Sequence, residues 1–222
     1  MFRRRSITYF WQLNRSRALQ VALILIWLAS AIGGIAWLTV EAAETGERHT
    51  VPSTWPDDVV AMRPHREATL LVFLHPRCPC SLATLAELER LLPLAKKPID
   101  TWLIYGIPST ADAGWRETST WKRGEGIANT QQVFDPGGQL AQQFGVATSG
   151  DCLLYHADGN LAFQGGITPS RAHEGNCLGQ ADLLLALNEN ARNVRDLPVY
   201  GCPLVIEAKL DRPRCCSSGD EE

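Results

Sequence analysis

The sequence predicts an α/β fold: a mixed β-sheet flanked by helices, preceded by one transmembrane helix. Three observations carry that expectation. From Ala18 to Val40 there are 23 residues without Asp, Glu, Lys or Arg. Beyond residue 57, short apolar runs alternate with amphipathic stretches of helical period, the pattern of strands covered by helices. An Asp-Gly step at 158–159 then joins two short runs directly, which is a hairpin signal and makes the sheet mixed.

The first element is the apolar stretch 18–40, long enough at ~1.5 Å per residue to span a hydrocarbon layer of ~30 Å. Arg3, Arg4, Arg5, Arg15 and Arg17 precede it, and Glu41, Glu44 and Glu47 follow it. The positive-inside rule places segment 1–17 in the cytoplasm and everything after residue 40 outside, as a single-pass protein of the cytoplasmic membrane. A cleaved signal peptide is the competing reading, since Val40-Glu41-Ala42 loosely fits a cleavage site, but the apolar stretch exceeds the ~7–15 residues of such segments. Trp37 near the outer end fits an interfacial anchor.

Residues 41–56 (EAAETGERHTVPSTWP) are polar, lack periodicity and hold two prolines, and so read as a tether to a domain over 57–195. Within it, 69–75 (TLLVFLH) predicts a central strand. Residues 81–94 predict a helix, with Leu82, Leu85, Leu88, Leu91 and Leu92 on one stripe. A second strand follows at 99–105, a helix within 112–123, a strand at 131–135 and a helical turn at 139–144 closed by Gly145. The hairpin comprises 152–156 and 160–163, and 178–192 is the last helix. The aromatic residues Trp102, Tyr105, Trp115 and Trp121 fall at core spacings, and Gly165-Gly166 marks a tight bend. Residues 196–222 read as a fraying tail.

Chemistry concentrates after the first strand, in Pro76-Arg77-Cys78-Pro79-Cys80-Ser81. Cys78 falls at a helix N-terminus, where unpaired N–H groups and the helix dipole favour a thiolate, and Arg77 adds a positive charge. Such a thiolate attacks a disulfide to form a mixed disulfide, and Cys80 is the nearest thiol to resolve it. The expected catalytic set is therefore Cys78 as nucleophile, Cys80 as resolving thiol and Arg77 as electrostatic activator.

The strand, cysteine turn, helix and terminal hairpin resemble the thioredoxin fold, and the chain is more closely similar to the small membrane-anchored thioredoxin-like family RedB. The matching residues are HPRCPCS at 75–81, TSG at 148–150, LLYHADGNLAFQGGIT at 153–168, SRAHEG at 170–175 and GCPL at 201–204. The resemblance spans residues 57–204 and implies thiol–disulfide exchange with protein thiols or disulfides of the cell envelope. Two departures stand out. Ser81 occupies the place of the resolving cysteine, so the pair is Cys-x-Cys, whose smaller ring is expected to be more oxidising. Ser149 and Gly150 occupy the place of the cis-proline loop.

A second reading is metal binding. Thioredoxin-fold copper chaperones use two loop cysteines with a distant histidine, so the alternative is a Cu(I) site of Cys78, Cys80 and His173, with His75 as a further candidate ligand. A non-catalytic scaffold is the third. No cofactor is required by the first reading.

Among the other thiols, Cys152 opens an apolar strand and reads as core, and Cys177 lies in a loop. Cys202, in a Gly-Cys-Pro turn, is a further redox candidate if the tail folds back to the motif. The vicinal Cys215 and Cys216 close the inventory, with connectivity left open. A peroxidatic Pro-x-x-x-Thr-x-x-Cys frame is absent, as are Gly-x-Ser-x-Gly and His-Glu-x-x-His. The charge argues against nucleic acid as a partner: the net −3 divides into +5 from the five leading arginines and −8 from the 16 basic and 24 acidic residues beyond them.

Overall fold

The computed structural model describes residues 5–60, 62, 67–189, 195 and 197–204. The chain separates into two units, residues 1–43 and 44–222.

The first unit is one helix, α1 (Arg5–Ala43). Within its portion Arg17–Ala43 an 18-residue window reaches a mean hydropathy of 2.3 and none of it is buried, making it the one helix among the described residues long and apolar enough to cross a membrane. It extends past both ends of the expected span 18–40, because backbone hydrogen bonding continues into the polar flanks.

The second unit is built on a five-stranded sheet of order β3-β2-β1-β4-β5. Its strands are β1 (Ala68–Leu74), β2 (Ile99–Ile107), β3 (Thr130–Pro136), β4 (Asp151–His156) and β5 (Leu161–Gly166). β1, β2 and β3 run parallel, while β4 and β5 run antiparallel to β1 and to each other, respectively. The parallel strands need crossovers, and helices α2 (Pro79–Leu91) and α3 (Ser119–Glu125) supply them. The helices α4 (Gln139–Gln143) and α5 (Leu178–Glu189) complete the predicted element order.

β1 is buried throughout, and its alternation feeds two cores. Leu70, Val72 and Leu74 pack with Leu85 and Leu88 of α2 and Leu183 and Leu187 of α5. Leu71 and Phe73 pack on the opposite face with Phe144, Tyr155 and Trp55. This explains the continuous apolar run: a central strand covered on both faces has no solvent side to mark.

Three expectations are corrected. The helix expected within 112–123 to carry both Trp115 and Trp121 carries only Trp121: Trp115 lies in a 3-10 turn, Ala113–Glu117, followed by α3, whose start is fixed by the Thr118 hydroxyl accepting the Trp121 amide at 3.3 Å. The tether 41–56 is not free beyond residue 43. Gly46 N–H donates to the Val199 carbonyl at 2.8 Å, Trp55 and Gly159 are bonded at 2.7 Å, and Leu161 donates to Ser53 at 2.9 Å. Trp55 is only 4% exposed, edge-on to Phe144 and Tyr155. Burial of one large ring outweighs a polar average.

The tail expected to fray is likewise packed over residues 197–204, where Leu197, Val199 and Leu204 are buried and Pro203 bridges to Thr148. Cys215 and Cys216 lie outside the described residues.

Candidate functional site

The site forms at the C-terminal end of β1, where parallel strands open toward ligands. The turn after β1 is tied down twice. His75 N–H donates to the Ser81 hydroxyl at 2.9 Å, and the Thr120 hydroxyl of α3 donates to the Pro76 carbonyl at 2.6 Å. Ser81, in the place of a second cysteine, therefore closes the loop. Pro79 begins α2, where a missing N–H costs nothing, and Cys78 is the N-cap in extended conformation.

Cys78 is 2% exposed and Cys80, one position inside the helix, 5%. Cys202 is partly exposed, and its Sγ lies 2.8 Å from the Cys78 Sγ. The three sulfurs lie within 4.8 Å of one another.

The 202 segment reaches the motif through Ser149. Ser149 N–H donates to the Cys202 carbonyl at 2.9 Å, the Cys202 N–H donates back to the Ser149 hydroxyl at 3.0 Å, and that hydroxyl lies 3.5 Å from the Cys78 sulfur. Gly201 makes the approach possible, since a Cβ there would overlap the Ser149 carbonyl and sit 2.8 Å from its hydroxyl. Gly150 has φ +92° and donates its N–H to the Phe73 carbonyl at 2.6 Å. A proline has no N–H to give and cannot adopt that φ, so this position excludes one.

The electrostatics favour one thiolate shared by three sulfurs. A hydrogen bond from Cys202, then one from Cys80, holds the Cys78 thiol far below its ordinary value, against the opposing cost of burial. Cys202 is driven up because it donates to Cys78, then to Cys80, and is partly desolvated. At Cys80 the contact with Cys202 pulls down, but donation to Cys78 and burial outweigh it and raise the thiol. The charge thus rests on Cys78, at the positive end of α2.

Arg77 stacks on Trp115, its guanidinium carbon 4.2 Å from the ring centroid, and its amide donates to His75 Nδ1 at 3.2 Å. Burial holds His75 below its usual range, with Cys78 pulling the other way. Ala172, at φ +55°, points its amide at the Cys80 sulfur. Its neighbour His173 is exposed, its Nδ1 2.6 Å from the Arg171 carbonyl, and it lies outside the sulfur cluster. Cys152 is fully buried with its thiol toward the Gly150 carbonyl at 3.7 Å, and burial raises it. Cys177 is partly exposed in the loop before α5.

Ser149 as a direct partner of Cys78, Thr120 as the clamp on the loop and Ala172 as a donor to Cys80 were not identifiable as such in the sequence. Ala172 carries no signal at all, because its role is that of a backbone amide.

A β-α-β unit joined to a β-β-α unit, with cysteine at the strand-to-helix turn, defines a thioredoxin-like fold. The chain matches no protein-family model and no curated protein. Among solved structures it is similar to an uncharacterized conserved protein from Geobacillus kaustophilus, at TM-score 0.51 and 19% identity over 72% of this chain and 91% of that one. It is also similar to a hypothetical protein from Sinorhizobium meliloti 1021, at TM-score 0.52 and 17% identity over 75% and 97%. The exposed lipoprotein thioredoxin Etrx1 of Streptococcus pneumoniae matches at TM-score 0.41 and 19% identity over 55% and 84%.

Proposed function

We propose that this chain is a membrane-anchored, extracytoplasmic thiol–disulfide oxidoreductase of the RedB-like kind, acting on thiols or disulfides of envelope proteins. The observation that carries this is the Cys78 N-cap sulfur with a second sulfur, that of Cys202, 2.8 Å away. A disulfide needs ~2.05 Å between sulfurs, so bond formation asks for a small side-chain adjustment only. The segments that carry the RedB resemblance support the reading, because 75–81, 148–150, 170–175 and 201–204 meet around these sulfurs. The leading arginines and the apolar helix support an anchor with the domain outside.

In the mechanism, the Cys78 thiolate and Cys202 form the working couple. Oxidation joins the two sulfurs and releases two electrons to the incoming disulfide, while reduction returns the charge to Cys78, where the helix N-terminus and the hydrogen bonds hold it. Ser149 orients both sulfurs. Arg77 and Trp115 form a cationic, aromatic ledge beside Cys78, which favours approach of an anionic thiolate.

A soft-metal site is the second reading, favoured by the three sulfurs within 4.8 Å. Two thiolates sharing one ion at ~2.3 Å each stand roughly 3.7 Å apart, whereas Cys78 and Cys202 stand at 2.8 Å. The redox reading fits that separation better.

The test is a redox titration of the full chain against glutathione buffers, followed by alkylation and peptide mass mapping. A Cys78–Cys202 cross-linked peptide that appears and disappears reversibly is expected. Its absence at every potential, together with stoichiometric Cu(I) uptake, overturns the proposal. Labelling of intact cells with a membrane-impermeant maleimide tests the orientation: reduced cysteines that react only after lysis would place the domain inside.

A further inference from the structure

We infer that the sulfur that meets the partner protein is that of Cys202, and that Cys78 is the buried half of the couple. This rests on the redox reading above and assigns the order of bond exchange within it.

In-line attack on a disulfide needs access to the sulfur attacked. Cys78 is 2% exposed and Cys80 5%, enclosed by α2, Ser149 and the 170–175 loop. Cys202 is the partly exposed member of the three. It also lies on an irregular segment, joined to its neighbours by the bridge of Pro203 to Thr148, the paired bonds with Ser149 and the Leu204 N–H donated to the Ala147 carbonyl at 2.8 Å, and not within a strand or helix.

The leaving group points the same way. When a disulfide is attacked, the thiol of lower basicity leaves faster. Attack on Cys202 expels the Cys78 thiolate at the N-cap of α2, where the Cys80 thiol and the Ser149 hydroxyl, 3.5 Å away, still donate to it. Attack on Cys78 would instead expel Cys202, which does not occupy the α2 N-cap.

A partner thiolate attacks Cys202 Sγ, the Cys78–Cys202 bond breaks, and its electron pair goes to Cys78 Sγ. The protein now carries a mixed disulfide between Cys202 and the partner. A second thiolate of the partner attacks the partner's own sulfur in that bond, closing the partner's disulfide and releasing Cys202 as a thiolate, which takes up a proton. The partner dithiol is oxidised and the Cys78–Cys202 couple reduced. In the reverse direction Cys202 passes its proton to the Cys78 sulfur to which it donates and attacks the partner disulfide as a thiolate; the partner's leaving thiolate takes that proton from Cys78, and Cys78 then displaces the partner from Cys202 as a second thiolate. This inverts the roles expected from the motif, with Cys78 as the resolving group.

The test uses the full chain carrying Cys80→Ser, so that no third sulfur of the site can exchange. The Cys78–Cys202 disulfide is formed and verified by peptide mass, then exposed briefly to reduced glutathione, quenched in acid and alkylated under conditions that block exchange. Glutathione on Cys202 with the alkyl group on Cys78 is expected, at a preference of at least ~10-fold. The opposite pattern, or equal labelling of the two, overturns this inference and leaves the redox reading intact. Failure of the Cys78–Cys202 disulfide to form, in this variant and in the wild type alike, overturns the redox reading itself.

Discussion

Gly201 is not a reacting residue, yet the couple depends on it. In Gly201→Ala the added methyl would overlap the Ser149 carbonyl oxygen and lie 2.8 Å from both its carbonyl carbon and its hydroxyl. Two of these contacts are with backbone, so the 197–204 segment must back away. Overpacking of this kind costs about 1–3 kcal/mol. Retreat also breaks the Ser149–Cys202 bond at 2.9 Å and the Cys202–Ser149 bond at 3.0 Å, each worth about 0.5–1.5 kcal/mol. The sum is roughly 4 kcal/mol against the seated segment, or on the order of a 1,000-fold fall in the fraction of molecules with Cys202 beside Cys78. The assay is the rate of Cys78–Cys202 cross-linking by oxidised glutathione, with near-UV circular dichroism showing that the sheet core remains. Cross-linking at the wild-type rate in a folded variant would refute the placement of this segment.

Further outcomes follow from the same geometry. Because the Cys78 thiol is held below its unfolded value of about 9.0 by Cys202 first, Cys78 contributes stability to the reduced protein that declines as pH falls from 9 toward the folded value, while Cys80 and Cys202, held upward, withdraw stability as pH rises past 9. Urea melts of the reduced wild type should therefore lose up to about 1.4 kcal/mol per pH unit below pH 9 relative to Cys78→Ala, and parallel pH profiles would refute the shared thiolate. Trp55→Ala removes a ring that is 4% exposed and whose indole N–H donates to the Val59 carbonyl at 2.7 Å. It should cost about 4 kcal/mol in chemical denaturation, where a loose tether would cost less than ~0.5 kcal/mol. Cys80→Ala removes one hydrogen bond to the Cys78 thiolate and should slow Cys78–Cys202 cross-linking by less than ~10-fold. Cys202→Ser abolishes the cross-link, and the two variants are compared by non-reducing peptide mass mapping.

The framework of the sheet was legible in the sequence because each strand and helix there carries its own period. The β1 run, the leucine stripe of α2 and the Asp-Gly hairpin each announce one element, and their order leaves few ways to assemble. The motif was legible too, since proline after cysteine after an apolar strand puts Cys78 at a helix start. Two coverings of the sheet were not. Residues 44–56 and 197–204 adopt neither helix nor strand, so no period marks them. They are fixed by isolated anchors, Trp55 and Val199, and by single backbone bonds to distant residues. A tryptophan between Ser-Thr and Pro in a supposed tether was the available signal. The proximity of Cys202 to Cys78 spans 124 positions and depends on the backbone of Ser149, which no spacing rule reports.

That separation has a thermodynamic consequence. A Cys-Pro-Cys bond would close a ring of three residues and restrict the unfolded chain very little. A bond from Cys78 to Cys202 ties the end of the central strand to the far end of the folded domain, encircling 124 positions. By the chain-entropy estimate, closing so large a ring favours the cross-linked native state by about 5 kcal/mol relative to its unfolded counterpart. In a two-electron couple that places the potential of the pair in the folded protein about 100 mV below that of the same pair in the unfolded chain. The stabilised Cys78 thiolate acts in the opposite sense, favouring the dithiol. Reduction of such a bond would therefore release the large ring that steadies the fold, so that the length of chain between the cysteines governs how much resistance to unfolding is lost with the bond.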